Sequence, residues 1–332
     1  MRLFAPYLIA VTVSLTLGCR DSGIGLPAES QGTWRLVRSS KPEGYYHAIS
    51  FADANSGWAV GETGRILHTT DGGETWTVQA SGVSASLTCV HAASPTCVRA
   101  GGDNNTFGLS TDGGTTWAWQ HPAGQPLRTF LSLASLNERE VWIVDNYSGI
   151  LHTSDAGLSW TAQASGTPWA ITAARFSSAL EGWAAATNRV VIHTTDGGVS
   201  WRVQTLDSIR YGYTEVFTDI FCRGSRIWIG TNAGPSNASN AKGGIVMSTD
   251  GGKSWQFRLS PDISLQSLAF VDDTEGWAAG FSGILHTTDG GHTWSYAPLP
   301  ANDHLFVCIA FVDRTHGWAI TFGGAIYRYQ GL

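Results

Sequence analysis

The chain has 332 residues, of which 42% are hydrophobic and 14% are charged, and its formal net charge is −6. So much apolar material with so few charges excludes a disordered chain, and a mildly acidic chain without a basic run argues against a nucleic-acid partner. The 40 Gly and 15 Trp residues indicate short strands joined by tight turns, because Gly supplies the positive φ angles that hairpins need.

The first segment has the pattern of an export signal. Met1-Arg2 gives a positive start, residues 3–17 are apolar, and Gly18-Cys19 follows. The apolar stretch is shorter than the roughly twenty residues of a membrane span. We therefore expect a signal peptide over residues 1–18, a tether over residues 19–28, and a periplasmic or extracellular protein. Gly before Cys resembles a bacterial lipoprotein signal, so lipidation of Cys19 and membrane anchoring are expected, with plain secretion as the alternative.

Six copies of one line recur after this segment. They read HTTDGGETW (68–76), LSTDGGTTW (109–117), HTSDAGLSW (152–160), HTTDGGVSW (193–201), MSTDGGKSW (247–255) and HTTDGGHTW (286–294). A GWA-type segment such as GWAVG at residue 57 precedes each copy. In the second unit CVRAG (97–101) stands in that place, with Cys97 where Trp is expected. An alternating apolar run lies further upstream, so each unit predicts four short strands, the content of a β-propeller blade.

The spacing of the tryptophans predicts seven blades. The last unit, GWAITFGGAIYRYQGL, lacks a fourth strand, whereas GTWRLVR (32–38) near the start matches ETWTVQA (74–80). We therefore predict an all-β fold, a seven-bladed β-propeller of four-stranded blades over residues 29–332, in which the N-terminal strand completes the last blade. Such closure removes exposed sheet edges. The seven repeated tryptophans are Trp34, Trp76, Trp117, Trp160, Trp201, Trp255 and Trp294.

The repeated line S/T-x-D-x-G-x-T/S-W is the Asp-box motif, and its residues suit a tight turn. Asp accepts hydrogen bonds from nearby amides, Gly takes a left-handed conformation, and Trp packs between blades. The aspartates occur one per blade around the rim, so they cannot form the close carboxylate pair of a glycosidase. We interpret them as structural: Asp71, Asp112, Asp155, Asp196, Asp250 and Asp289.

Histidine and cysteine give no sign of a metal site or a cofactor. His68, His152, His193 and His286 recur three residues before the box Asp, but the other copies have Leu109 and Met247 there, and Leu and Met are poor ligands for a borderline metal. Cys89 and Cys97 flank the turn HAASPT, which is compatible either with a disulfide in an exported protein or with two buried thiols. Cys222 and Cys308 are expected to be small core residues.

The units GWAVGETGRILHTTDGGETW (57–76) and GWAAGFSGILHTTDGGHTW (276–294) resemble those of the photosystem II stability/assembly factor family of cyanobacteria and chloroplasts, which has relatives in non-photosynthetic bacteria. The resemblance covers about residues 29–332. It implies a seven-bladed propeller that acts as a scaffold, not an enzyme, and that binds a photosystem II reaction-centre subunit. For this chain it implies a monomer with a protein client, a membrane-protein subunit, and a location in the thylakoid lumen if the organism is photosynthetic.

We expect the client on the face that carries the inter-blade connections and the loops between second and third strands. Tyr, Trp and Arg are enriched at protein-binding hot spots, although each such residue could instead pack against a neighbouring blade. The candidates are Tyr45, Tyr46, Arg128, Trp169, Arg189, Arg210, Tyr211 and Tyr213.

Two other functions are compatible with a propeller. The first is a carbohydrate- or surface-binding adhesin, which exposed aromatic platforms would favour. The second is a sialidase-like hydrolase, which needs several arginines converging on a substrate carboxylate together with a Tyr–Glu pair. Arg175 lies in a predicted inner strand, and Glu215 follows Tyr213. Three arginines pointing into the channel would favour the hydrolase, and otherwise we expect no enzyme.

Overall fold

The computed structural model describes residues 32–40, 44–122, 126–206, 215–233, 243–259, 264–300 and 305–331, and of Glu215, Ala233 and Leu259 it describes the backbone alone. The predicted signal peptide and tether, with Cys19, lie outside these residues. Short 3₁₀ turns occupy Glu62–Gly64 and Asp103–Asn105. No helix in the described ranges is long and apolar enough to cross a membrane.

The described residues form twenty-eight strands. The first strand stands alone, the next twenty-four come in groups of four, and the last group has three. The first thirteen are β1 (Thr33–Arg38), then β2 (Tyr46–Phe51), β3 (Gly57–Gly61), β4 (Ile66–Thr69) and β5 (Thr77–Gln79), then β6 (Leu87–Ala92), β7 (Val98–Gly102), β8 (Phe107–Ser110) and β9 (Ala118–Gln120), then β10 (Phe130–Ser135), β11 (Val141–Asp145), β12 (Gly149–Thr153) and β13 (Thr161–Ala164). The others are β14 (Ile171–Phe176), β15 (Gly182–Ala186), β16 (Val190–Thr194) and β17 (Arg202–Thr205), then β18 (Glu215–Arg223), β19 (Arg226–Ala233), β20 (Gly244–Ser248) and β21 (Gln256–Leu259), then β22 (Leu265–Phe270), β23 (Gly276–Gly280), β24 (Gly283–Thr287) and β25 (Ser295–Tyr296), and finally β26 (Phe306–Phe311), β27 (His316–Thr321) and β28 (Ile326–Gln330).

These strands form seven four-stranded antiparallel sheets, which confirms the predicted seven-bladed propeller. Six blades consist of four consecutive strands each, numbered here from blade 1 (β2–β5) to blade 6 (β22–β25). Blade 7 has the order β1-β28-β27-β26, and Trp34 pairs with Tyr329. The N-terminal strand therefore completes the last blade, as the spacing of Trp34 predicts.

Aromatic side chains fill the junctions between blades. Trp228 of blade 5 stacks on Phe270 at the end of the first strand of blade 6, with 4.0 Å between ring centroids. The box Trp of blade 6, Trp294, meets the same Phe270 edge-on at 5.9 Å. Stacked and edge-to-face pairs are the favoured arrangements of aromatic rings. Three further phenylalanines repeat this double contact, namely Phe51, Phe176 and Phe311.

The junction between blades 2 and 3 corrects the sequence alignment of the second unit. Arg99 of β7 pairs with Leu109 in the register in which Trp58 of β3 pairs with His68. Arg99, not Cys97, therefore occupies the Trp position, and Cys97 precedes the strand. The Arg99 side chain is fully buried, and its guanidinium donates to Ser135 Oγ (3.1 Å) and to the carbonyl oxygen of Glu138 in blade 3.

Candidate functional site

Each box turn is held by the same set of hydrogen bonds. In blade 4, Thr194 Oγ1 donates to Asp196 Oδ1 (2.8 Å), and Asp196 accepts bonds from Ser200 N (2.9 Å) and Ser200 Oγ (2.6 Å). The amide of Gly197 donates to the carbonyl of Leu180 in the turn between the first two strands (2.8 Å). The same bond from a side-chain hydroxyl to the box carboxylate recurs at Asp71, Asp112, Asp155, Asp250 and Asp289.

These turns define one face of the wheel, the box face, which carries the box turns and the turns between first and second strands. The repeated tryptophans follow the turns. Trp34 and Trp201 are buried, and the half-buried members are Trp76, Trp117, Trp160, Trp255 and Trp294. The indole Nε1 of Trp76 donates to the carbonyl of Gly73 in its own turn (3.1 Å). Each carboxylate is thus bonded within its own turn.

The hydrogen bonds also set the acidity of the box carboxylates. The Ser200 hydroxyl, the Ser200 amide and the Thr194 hydroxyl lower the pKa of Asp196 to about 2. Ser254 and Ser248 do the same for Asp250, whose pKa is also about 2. A glycosidase acid instead needs a raised pKa, so that it carries a proton near neutral pH. These two carboxylates stay charged there.

The four histidines that recur three residues before the box Asp are part of the packing within their blades. His193 lies opposite Trp183 and stacks on it with 3.8 Å between centroids, and similar stacks form at His68, His152 and His286. In blade 3, His152 Nε2 lies 2.7 Å from Glu140 Oε2, and in blade 6 His286 Nε2 lies 3.3 Å from Glu275 Oε1. Among the described residues there is no group of three or more His, Cys, Asp or Glu side chains placed to hold a metal ion.

The possible Cys89–Cys97 disulfide is not formed. Both residues are buried free thiols. Cys222 and Cys308 are also free thiols and are partly buried. Cys89 pairs with Gly101 of β7, four residues beyond Cys97. Four residues of strand span about 13 Å, whereas bridged cysteines need Cα atoms within about 7 Å. The two-thiol alternative is therefore the one that the register supports.

The opposite face, the loop face, carries the inter-blade connections and the loops between second and third strands. A backbone bond joins the two kinds of segment in blade after blade, as in Asn146 N to Thr129 O (3.0 Å) and Phe322 N to Leu305 O (2.8 Å). Large apolar side chains stand exposed on this face: Tyr45, Leu127, Tyr147, Trp169, Phe281 and Leu305.

Two small clusters stand out on the loop face. Near blades 1 and 7, Tyr45 stacks on Phe322 with 4.1 Å between centroids. At blade 3, the Arg128 guanidinium lies 4.6 Å from the centroid of the Tyr147 ring and 3.2 Å from Asp145 Oδ2. The carbonyl of Tyr147 accepts a bond from Ile171 N (2.7 Å), two residues from Trp169. Arg128, Tyr147 and Trp169 form what we call the blade 3–4 platform.

The other predicted binding residues differ in their exposure, and three of them are not described by the structure. Tyr46 is 2% exposed and packs in the core between blades 1 and 7, so it is not part of an accessible surface. Arg189 lies half-buried beside the loop face. The remaining three, Arg210, Tyr211 and Tyr213, lie outside the described residues. The sequence analysis missed Phe281 and Phe322, although both directly follow a GWA-type segment, in the slot that Glu62 fills in blade 1.

A channel of about 380 Å³ runs between the first strands of all seven blades. A bulge near the start of each first strand directs an extra residue inward, for example His47 and Thr88. Arg175 is the one Arg or Lys side chain among the described residues that line the channel. Arg128 and Arg189 do not line it. The three converging arginines that a sialidase-like site needs are therefore not found in the described part of the lining.

Comparison with known families supports the resemblance seen in the repeat. The family described as "Photosynthesis system II assembly factor YCF48" matches residues 238–331. No curated protein matches the chain in sequence. The resemblance to the photosystem II stability/assembly factor family is thus confirmed over residues 238–331. Solved structures match the fold of the larger part of the chain.

Three solved structures illustrate this likeness. A structure named "YCF48 bound to D1 peptide" has a TM-score of 0.73 at 22% identity and covers 93% of this chain and 100% of its own. YCF48 from Cyanidioschyzon merolae has a TM-score of 0.69 at 20% identity and covers 90% of this chain and 98% of its own. A streptogramin B lyase has a TM-score of 0.71 at 14% identity, with 91% and 98% covered. Identities this low show the propeller fold alone, which enzymes and binding proteins share.

Proposed function

We propose that this protein is a non-enzymatic, extracytoplasmic binding propeller that holds a segment of a membrane-protein client on its loop face, in the manner of a photosystem II assembly factor. The observation that carries the proposal is the set of exposed aromatic and aliphatic side chains on that face. Their types match the anchors of protein interfaces, in which Tyr, Trp and Arg dominate the binding energy.

Several features support a binding role over catalysis. The box aspartates are bonded within their own turns, and one arginine lines the described channel. A YCF48 structure of the same fold contains a D1 peptide. Export through the predicted signal over residues 1–18, with lipid attachment at Cys19, would place the propeller beside a membrane and raise the local concentration of membrane-protein clients.

The blade 3–4 platform gives the sharpest test. Tagged mature protein, residues 19–332, is purified from solubilised membranes of its own organism, and the retained proteins are identified by mass spectrometry. We expect a membrane-protein subunit to be retained by the wild type and lost by the double variant Tyr147→Ala/Trp169→Ala. The matched control is Val78→Ala/Tyr296→Ala, because these side chains are also exposed but lie on outer strands. Equal retention by all three proteins would refute the loop face as the binding surface.

The exposed rings of Tyr147 and Trp169 also favour a second candidate, carbohydrate binding, because sugars stack on such rings. The two exposed fractions are 58% and 44%. Elution of the retained material by free oligosaccharide, with no membrane protein recovered, would support this second candidate and contradict the first.

A further inference from the structure

One layer of the channel contains a single arginine, Arg175, together with three alanines, Ser50 and the larger His91 and Phe221. The layer is defined by register, because each of its members pairs with the Trp position of the second strand. Arg175 pairs with Trp183, and Ala134, Ala269 and Ala310 pair with the tryptophans of their own blades. Arg175 and these alanines line a cavity of about 380 Å³. Small-molecule sites have volumes of about 300–1,000 Å³.

The guanidinium of Arg175 is loosely held. Nη1 donates to Ala174 O (3.0 Å) and to Ser132 Oγ at 3.4 Å, and Nη2 approaches Asp219 Oδ1 at 3.4 Å. Arg has five N–H donors, so donors remain for another acceptor. The Arg175 side chain keeps 36% exposure although it lies within the channel.

Asp219 does not neutralise Arg175 in a bidentate pair. Its Oδ1 accepts a bond from Ile220 N (2.9 Å), and its Oδ2 accepts bonds from Leu268 N (2.9 Å) and Ser267 Oγ (3.2 Å). Asp219 thus serves mainly to tie blade 5 to blade 6. A bidentate Arg–carboxylate pair, which is the strong form of this contact, remains available to Arg175 with a second carboxylate.

The charge of Arg175 affects titratable groups of other blades around the channel. Burial and then Arg175 lower the pKa of His91 in blade 2 to about 4. Burial raises the pKa of Cys222 in blade 5 and of Cys308 in blade 7, and the Arg175 charge acts in the opposite direction on both thiols, while Asp219 also raises the pKa of Cys308. Arg175 thus lines the channel from blade 4, and its charge acts on groups in three other blades.

We propose that the channel binds a small organic carboxylate, whose carboxylate group Arg175 holds and whose apolar part packs among the channel alanines. One cation with Asp219 beside it suits a monoanion better than a phosphate dianion, because like charges repel strongly inside a protein. The site is separate from the loop-face platform. The carboxylate can come from a free acid or from the C-terminus of a short peptide, since Arg recognises both in the same way.

Calorimetric titration of the mature protein with benzoate, and with benzamide as its neutral match, tests the site. We expect benzoate to bind at least about tenfold more tightly than benzamide, since a charge-assisted bond to Arg is lost with the amide. Arg175→Gln should lose about the same factor. Trialanine and its C-terminal amide distinguish a peptide terminus from a free acid as the source, and inorganic phosphate is the dianion control.

Two further variants keep the test interpretable. Ala310→Leu fills the channel while Arg175 stays in place, so it should weaken benzoate binding even if Arg175→Gln folds poorly. Arg139→Gln removes an exposed arginine on the box face and should bind as the wild type does. Equal affinities for benzoate and benzamide, equal affinities of the wild type and Arg175→Gln, tighter binding of phosphate, or no binding of any carboxylate would overturn the proposal. Client retention by Arg175→Gln should be unchanged, so the two proposals can fail separately.

Discussion

At the scale of single residues, the phenylalanine that ends a first strand is the contact shared by two blades. Phe270 is 5% exposed, stacks on Trp228 of the preceding blade and meets Trp294 of its own blade edge-on. The residue after it starts a hairpin, so its backbone position is fixed by the sheet while its ring bridges the junction. Loss of the ring removes packing from both neighbours at once.

We therefore expect Phe270→Ala to lower the free energy of unfolding by about 3–5 kcal/mol, as a buried aromatic side chain is replaced by a cavity. Urea unfolding followed by tryptophan fluorescence measures this change. The control is Val199→Ala, whose side chain is 83% exposed and should change stability by less than about 0.5 kcal/mol. Similar losses in both variants would show that the stack is not a main contribution.

Arg99 presents the opposite case, because it places a buried charge at the position that Trp fills in the other blades. It is fully buried, its guanidinium donates hydrogen bonds to a hydroxyl and a carbonyl oxygen, and burial lowers its pKa. Replacing buried ionic groups by well-packed apolar side chains of similar volume is often neutral or stabilising. We expect Arg99→Met to raise the free energy of unfolding, as measured by urea unfolding, by an amount on the order of 1 kcal/mol. A clear loss of stability in this variant would mean that the two hydrogen bonds outweigh the cost of burying the charge.

At the scale of strands, β1 decides whether the wheel is closed. Trp34 of β1 is buried against Tyr329 and Phe311 of blade 7, with centroid distances of 5.3 and 5.9 Å. Glu74 in the box turn of blade 1 pairs with Arg35 of β1 and with Arg328 of β28 (2.7 Å). Closure thus combines a buried apolar contact with an exposed ionic one, and the two differ greatly in expected energy.

We expect Trp34→Ala to cost about 3–5 kcal/mol and Glu74→Gln to cost less than about 1 kcal/mol, because exposed ion pairs contribute little. Light scattering should also detect association of Trp34→Ala, since detachment of β1 exposes the edge of β28 for pairing with another chain. Thermal unfolding of both variants in low and high salt measures the two losses of stability. A larger loss for Glu74→Gln would contradict closure by packing.

At the scale of the whole molecule, the repeat predicts the blade count and the closure, because the tryptophan spacing records one blade per period and Trp34 fits that spacing. The repeat does not predict the environment of each individual residue. Arg99 was missed, although it stands as far before Asp112 as Trp58 stands before Asp71. Tyr45 and Tyr46 are adjacent, and strand alternation turns one outward and one inward, so only the observed start of β2 tells them apart. The channel layer around Arg175 depends on pairing across seven strands, which spacing along the chain does not encode.

The wheel as a whole should lose stability in acid in two steps. His91 has its pKa lowered to about 4 by burial and by the charges of Arg175 and Arg99, so the unfolded chain binds its proton more readily between about pH 6.5 and 4. The free energy of unfolding must fall as the pH drops through that window.

Asp155, Asp196 and Asp250 keep a pKa of about 2 when folded, against 3.8 as the ordinary value. Their contribution to the free energy of unfolding is present above about pH 3.8 and is lost toward pH 2.

Urea unfolding at pH 7, 5, 4 and 3 should show both steps, and His91→Leu should flatten the upper step alone. An unchanged upper step in that variant would assign it to the histidines between the blades, such as His193 and His286, whose pKa values burial also lowers.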